Sequence, residues 1–374
     1  MLDAVVVGGG PGGLSAATWL ARYRKQVVVL DSGEHRNRWV EAAHGYLGSD
    51  PVSPQQLLAA ARDDLAAYPE AELRRGRAVT ARREADGTFT LGLEGGAELF
   101  ARRLVLATGV RDVFPEVDGF FDHYGRSVFH CPTCDGYEAR DRTVVAFGWS
   151  EHVVGFALTL LGWARTVTVV TDGRRFQGDR HDRERLAAQG VRVLEGDAVA
   201  LLGEPGALRG VRLRDGEELA CDLAFFSIAH RPAADLDVQL GCRRTEENCI
   251  AVDEQGATSV PGVYAAGDVT PGLQLVQVAA AKGTVAGVAC ARSLRGEGGI
   301  PEAWEGRVPG YEGPMTHHQH ADSPAAERLD GLGEEIDDLR GRLSEEEGAD
   351  EPRFIDQGQA DQGQPVDDTI TPPG

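Results

Sequence analysis

Residues 4–31 constrain the fold more than any other stretch. The apolar run Ala4-Val5-Val6-Val7 reads as a strand buried on both faces. Gly8-Gly9-Gly10-Pro11-Gly12-Gly13 follows at once, then a helical stretch over 14–23. A second strand, Val27-Val28-Val29-Leu30, ends in Asp31, 23 positions after Gly8. Strand, glycine loop, helix, strand and acid form the dinucleotide-binding pattern in its required setting. Gly8 permits the tight turn, Gly10 leaves room for a pyrophosphate against the backbone, and Gly13 lets the helix pack on the strand. Pro11 opens the helix, whose free N–H groups and positive dipole end suit phosphate oxygens. Asp31 is placed to accept ribose hydroxyls.

Two later runs support a nucleotide domain split in sequence. Leu104-Val105-Leu106-Ala107-Thr108-Gly109 is a buried strand ending in a small-residue turn, and Gly262-Val263-Tyr264-Ala265-Ala266-Gly267-Asp268 repeats the shape with a terminal acid. An acid there can reach the ribityl hydroxyls of a flavin. The 48 glycines among 374 residues follow no Gly-X-Y repeat, so they serve turns and close approaches rather than a collagen-like chain.

Between these runs lies Phe129-His130-Cys131-Pro132-Thr133-Cys134-Asp135-Gly136-Tyr137. A C-x-x-C is half a zinc site or a redox dithiol. Zinc would need a second ligand pair, and Cys221, Cys242, Cys249 and Cys290 stand singly, so the redox reading fits better. Asp135 beside Cys134 is placed to move a proton, because a thiolate leaving a disulfide must be protonated. A helix N-cap would use the same residue type. His130 could favour a Cys131 thiolate or pack as a neutral ring.

Charge and composition exclude other classes. Formal net charge is -21, which disfavours nucleic acid. No apolar run is long enough to span a membrane, and Met1-Leu2-Asp3 lacks the basic start of a secretory signal, so the chain reads as cytoplasmic. Residues 300–374 hold 19 acidic and 5 basic residues, which leaves a net charge of only -7 on the rest. That segment is expected to be an acidic, largely disordered tail. Leu329, Leu332, Ile336, Leu339 and Leu343 mark one short helix in it at heptad spacing.

The glycine loop, the Ala-Thr-Gly turn, the C-x-x-C-Asp-Gly and the Ala-Gly-Asp turn, in that order, resemble the low-molecular-weight thioredoxin reductase family of FAD-dependent pyridine nucleotide-disulfide oxidoreductases. The resemblance implies an α/β fold of two Rossmann-like domains, the second inserted into the first. An FAD domain would be built from 1–112 and 233–300, an NAD(P)-like domain carrying the dithiol from 113–232, and the tail from 301–374. It further implies FAD held by Gly8, Gly10, Pro11, Gly13, Asp31, Thr108, Gly109, Gly267 and Asp268, with Gln277 and Val278 beside the isoalloxazine, and a homodimer. Cys134 resembles the thiol that faces the flavin, Cys131 the one that attacks a disulfide substrate, and Asp135 the acid/base. Val276 stands where the family usually has an arginine.

The inserted domain departs from that pattern. After its strand at 143–147, Gly148-Trp149-Ser150-Glu151-His152-Val153 keeps only the first glycine of a G-x-G-x-x-G/A loop. Asp172 stands where NADPH-using relatives carry arginines, with Arg174 and Arg175 just beyond. NAD(P)H use is therefore doubtful, with NADH favoured over NADPH. Three readings follow. The first is a thioredoxin-reductase-like enzyme acting on a thioredoxin-like protein or a small disulfide, supplied by NADH or a protein electron donor. The second is a dithiol oxidase passing electrons to oxygen, and the third a flavin redox sensor without turnover. The intact C-x-x-C-Asp beside a complete flavin pattern favours the enzymes over the sensor.

Overall fold

The computed structural model describes residues 1–295. The expectations for the acidic tail and its heptad helix lie outside the described residues. The first strand, Leu2–Val7, pairs in parallel with Val27–Asp31 on one side and with the long strand Glu98–Leu106 on the other. This layout follows from sequence: the aligned ends of the three strands, residues 5–7, 28–30 and 104–106, are apolar runs, as a sheet covered on both faces requires.

Glu98–Leu106 serves two partners along its far edge. Its first half pairs antiparallel with Phe89–Leu93, and its last three residues pair in parallel with Val263–Ala265. The Ala-Thr-Gly and Ala-Gly-Asp turns thus emerge side by side from adjacent strands. Ala71–Arg75 and Ala78–Arg83 complete the seven-stranded sheet. One face is filled by Ala4, Val6, Leu14, Leu20, Val29 and Cys290, the other by Val5, Val28, Phe89, Leu91, Leu104 and Val263.

The helices Pro11–Arg22 and Val276–Ser293 pack tightly on the first of these faces because small residues line their contact. A Cβ on Gly283 would lie 2.0 Å from the Gly12 carbonyl oxygen, and one on Gly287 2.5 Å from that of Ala16. Ser15 and Thr284 share a 2.8 Å hydrogen bond across the same contact.

The chain leaves this sheet through Val110–Val113 and returns through Ala229–Pro232, and the two strands pair antiparallel, Asp112 opposite His230. Between them lies a second Rossmann-like unit, a parallel sheet ordered Arg192–Leu194, Thr166–Val170, Thr143–Phe147, Leu223–Phe226 and Val128–Phe129. The short edge strand Val128–Phe129 delivers the cysteine segment. Among the described residues no helix is long and apolar enough to cross a membrane.

Candidate functional site

A cavity of about 660 Å³ opens at the carboxyl ends of the parallel strands Leu2–Val7 and Glu98–Leu106. That is where open α/β sheets bind ligands. Gly8, Gly9, Gly10, Pro11, Asp31, Thr108, Gly109, Gly267, Asp268 and Gln277 line it, together with Cys134 and Asp135. Sequence positions more than a hundred apart thus share one wall. Val278 and Cys131 do not line the cavity, and Gly13 serves packing instead, since a Cβ there would meet the Gly8 carbonyl oxygen at 1.8 Å. Gly8 itself has φ +119°, a conformation that side chains disfavour. A Cβ on Gly10 would meet nothing within 4 Å, so this loop leaves open the approach that a pyrophosphate needs.

Cys131 and Cys134 are joined in a disulfide at the start of the short helix Pro132–Asp135. Cys131 caps this helix, and its Sγ accepts the Cys134 backbone N–H at 3.1 Å. Asp135 is therefore no N-cap; it closes the turn, with 7% of its surface exposed. Burial, reinforced by the Glu138 charge and opposed by His44, pushes its carboxyl up to about 7. A carboxyl poised there can both give and take a proton near neutral pH.

His130 packs against Phe226, and its Nδ1 lies 3.0 Å from the Tyr124 hydroxyl. Burial drives its imidazole down to about 4, so at neutral pH it adds no positive charge beside Cys131. Of the two roles open to His130 in sequence, the geometry favours the packed neutral ring.

Several cavity residues escaped the sequence reading. Arg36 reaches Asp112 with two bonds of 2.6 and 2.9 Å, Asp268 at 3.0 Å and the Gln274 side chain at 2.7 Å. It ties the loop after the second strand to the crossing ribbon and to the Ala-Gly-Asp turn. Burial opposes the Asp112 charge, yet the Arg36 hydrogen bonds win and hold that carboxyl below its ordinary range. His44 sits between Asp50, 3.2 Å from its Nδ1, and Glu138, 3.4 Å from its Nε2. Both nitrogens of His35 and one oxygen of Glu138 are buried at the cavity without a hydrogen-bond partner. Orphaned polar atoms, an open glycine loop and a cavity of this size fit a bound FAD.

The inserted sheet carries its own loop after Thr143–Phe147. There a Cβ on Gly148 would meet the buried Val153 side chain at 2.8 Å, and the Arg174 guanidinium lies over the Trp149 ring, 4.1 Å from its centroid. Asp172, held at φ 55°, has its carboxyl raised by burial and by Asp197. Among the described residues no group of side chains is arranged to hold a metal ion.

The family profile described as pyridine nucleotide-disulphide oxidoreductase matches residues 2–283. The chain belongs to this family. The oxidoreductase is 30% identical over 308 residues to the thioredoxin reductase tcpT of Claviceps purpurea, covering 77% of this chain and 92% of that one. It is 32% identical over 317 residues to the thioredoxin reductase sirT of Leptosphaeria maculans, with the same two coverages, 77% and 92%. The crystal structure of HlmI superposes with a TM-score of 0.75 at 38% identity, over 79% of this chain and 93% of that one. The oxidoreductase is thus a flavoprotein of the thioredoxin-reductase-like branch, an enzyme with two Rossmann-like units.

Proposed function

We propose that this enzyme is an FAD-dependent thiol–disulfide oxidoreductase in which an electron pair moves between flavin, the Cys131/Cys134 pair and a disulfide or dithiol substrate. One observation carries the reading: Cys134 of a closed disulfide and the buried Asp135 share a cavity with the glycine loop, Asp31 and Asp268. FAD, when bound, supplies the two-electron partner for the dithiol. Gly8, Gly10 and Pro11 would hold its pyrophosphate, Gly13 the packing behind that loop, Asp31 a ribose, Asp268 the ribityl chain, and Thr108, Gly109, Gln277 and Val278 the surroundings of the ring.

Cys134 faces the cavity, while Cys131 lies outside its lining and is partly exposed. Cys131 then receives or makes the bond to substrate sulfur, and Cys134 leaves as the internal thiolate. Asp135 protonates that thiolate and takes the proton back when the disulfide closes. A thioredoxin-like protein or a small disulfide is the substrate class, by likeness to the named thioredoxin reductases.

A second reading, oxidation of a small dithiol, is favoured by the second nucleotide loop. Trp149 and Arg174 stack on each other, Val153 fills the space behind Gly148, and Asp172 stands where a 2′-phosphate would need a cation. Each missing charge-assisted contact costs a phosphate ligand roughly 1.5–3 kcal/mol, about tenfold or more in affinity. An anaerobic titration of the holoenzyme with NADPH, NADH and dithiothreitol, followed by visible absorbance, separates the readings. Dithiothreitol should bleach the flavin stoichiometrically, NADH weakly and NADPH least. Rapid bleaching by micromolar NADPH would return the enzyme to ordinary nicotinamide-driven reduction, with Arg174 and Arg175 as the phosphate ligands. Absence of bleaching by any of the three would remove the thiol–disulfide reading altogether.

A further inference from the structure

The acid that ends the second strand does not recognise a nucleotide by itself. Asp31 spends one carboxylate oxygen on the Gly33 backbone N–H, 2.7 Å away, and the other on the Arg62 guanidinium, 2.9 Å away. A carboxylate only accepts, so its remaining lone pairs can take a ligand hydroxyl but can give nothing. The other polar groups that the AMP half of a dinucleotide brings to this end of the cavity need a second partner.

His35, four positions after Asp31, lines the same cavity as Gly9, Gly10 and Asp31. Both of its ring nitrogens are buried, and neither has a hydrogen-bond partner in the protein. Among the described residues the one other buried side-chain nitrogen or oxygen in this state is a Glu138 oxygen, on the cysteine segment. Burial and the Arg62 charge, opposed by Asp31, make the imidazole harder to protonate than usual. A neutral ring has one N–H donor and one bare nitrogen, so the two orphans are a donor and an acceptor.

The backbone on both sides of His35 is anchored. Gly33 has φ +76°, and a Cβ there would meet Arg75 Nη1 at 2.4 Å. Arg36, the next residue, is tied to Asp112 by two bonds, to Asp268 by one and to Gln274 by one. The ring is thus held at the cavity wall with its hydrogen bonds unmade. Buried polar atoms are nearly always paired in proteins, so a pair of orphans on a ligand cavity marks the place of a ligand's polar groups.

We infer that His35 is a specificity residue that hydrogen-bonds the AMP half of FAD through a ring nitrogen and so sets the preference of this site for FAD over FMN. The inference rests on the reading of the cavity as the FAD site. The ribose hydroxyls and the adenine edge both carry the donors and acceptors that the ring lacks. FMN ends at its phosphate and has nothing to offer His35. A site built to hydrogen-bond a group rejects the analogue without it, because its own buried polar atoms then stay unpaired.

The test uses the FAD-loaded full chain. FAD released on dilution is read by its fluorescence, and FMN is added as a competitor. His35→Leu should raise the FAD dissociation constant by about tenfold or more, the usual cost of leaving a buried polar group of the ligand unpaired. The FMN dissociation constant should stay within about twofold, so the preference for FAD should shrink by nearly the whole FAD loss. His35→Gln, which keeps a donor and an acceptor, should recover much of the FAD affinity. A His35→Leu protein that holds FAD within about twofold of wild type would overturn the inference. Equal weakening of FAD and FMN would overturn it too, since that pattern is a general loosening of the fold. A glutamine variant as weak as the leucine one would do the same. If His35→Leu does not fold, His35→Met is read by the same FAD-to-FMN ratio. A wild-type chain that prefers FMN, or that holds neither flavin, would instead sink the FAD reading beneath the inference.

Discussion

Asp135 shows how one residue links burial to chemistry. Its folded carboxyl sits at about 7 because burial disfavours the charged form, whereas an unfolded aspartate titrates near its ordinary value of about 3.9. The protonated form is thus favoured by folding. Its contribution is full below about pH 4, declines between there and pH 7, and is gone above it, at most on the order of 4 kcal/mol. Urea unfolding of wild type and Asp135→Asn across pH 4–8.5 should therefore diverge up to neutrality, the wild type losing ground, and then run parallel. Arg36 is the opposite case, a buried cation whose partners depend on it. Asp112 is 6% exposed at its side chain, and Arg36→Met would leave it buried and unpaired. Breaking such a pair costs about 3–5 kcal/mol, so this variant should melt several degrees lower and lose FAD on gel filtration.

At the scale of elements, the helix pair Pro11–Arg22 and Val276–Ser293 holds the glycine loop against the first sheet. Gly283→Val should be among the most damaging single changes in the chain, because even a Cβ at Gly283 would sit 2.0 Å from a backbone oxygen. Overpacking of this kind costs about 1–3 kcal/mol or more, and the helix must shift to absorb it. Ser15→Ala removes one hydrogen bond from the same contact and should cost about 1 kcal/mol. Chemical denaturation of the two variants, with flavin content as the second readout, checks that order. Elements of this sort were legible in sequence because their signal is contiguous: apolar strand, glycines, helix and acid follow one another, and Cys131, Cys134 and Asp135 lie within five positions. Arg36 was not legible, because Asp112 and Asp268 lie 76 and 232 positions away and no local pattern marks a guanidinium that will be buried. His44 was not legible for the same reason: it is ordinary in its own segment, and only the meeting of two segments brings its Nε2 to 3.4 Å from Glu138.

At the scale of the molecule, the seven-stranded and five-stranded sheets are joined by one antiparallel ribbon, and the candidate site lies where the first of them meets the cysteine segment of the second unit. Every residue placed in that site precedes position 296, so truncation after Val308 should leave FAD content, melting temperature and dithiol turnover unchanged. A fall in flavin occupancy or a large fall in turnover would assign the acidic segment a part in the site. In the proposed function the Cys131/Cys134 pair and the flavin exchange electrons through Cys134. The most direct measurement is anaerobic mixing of FAD-loaded wild type, Cys131→Ser and Cys134→Ser with dithiothreitol, recording visible spectra. Stoichiometric bleaching is expected of wild type only, with a long-wavelength thiolate–flavin band in Cys131→Ser and no such band in Cys134→Ser. Bleaching of both variants at the wild-type rate, or a band in Cys134→Ser that Cys131→Ser lacks, would contradict it.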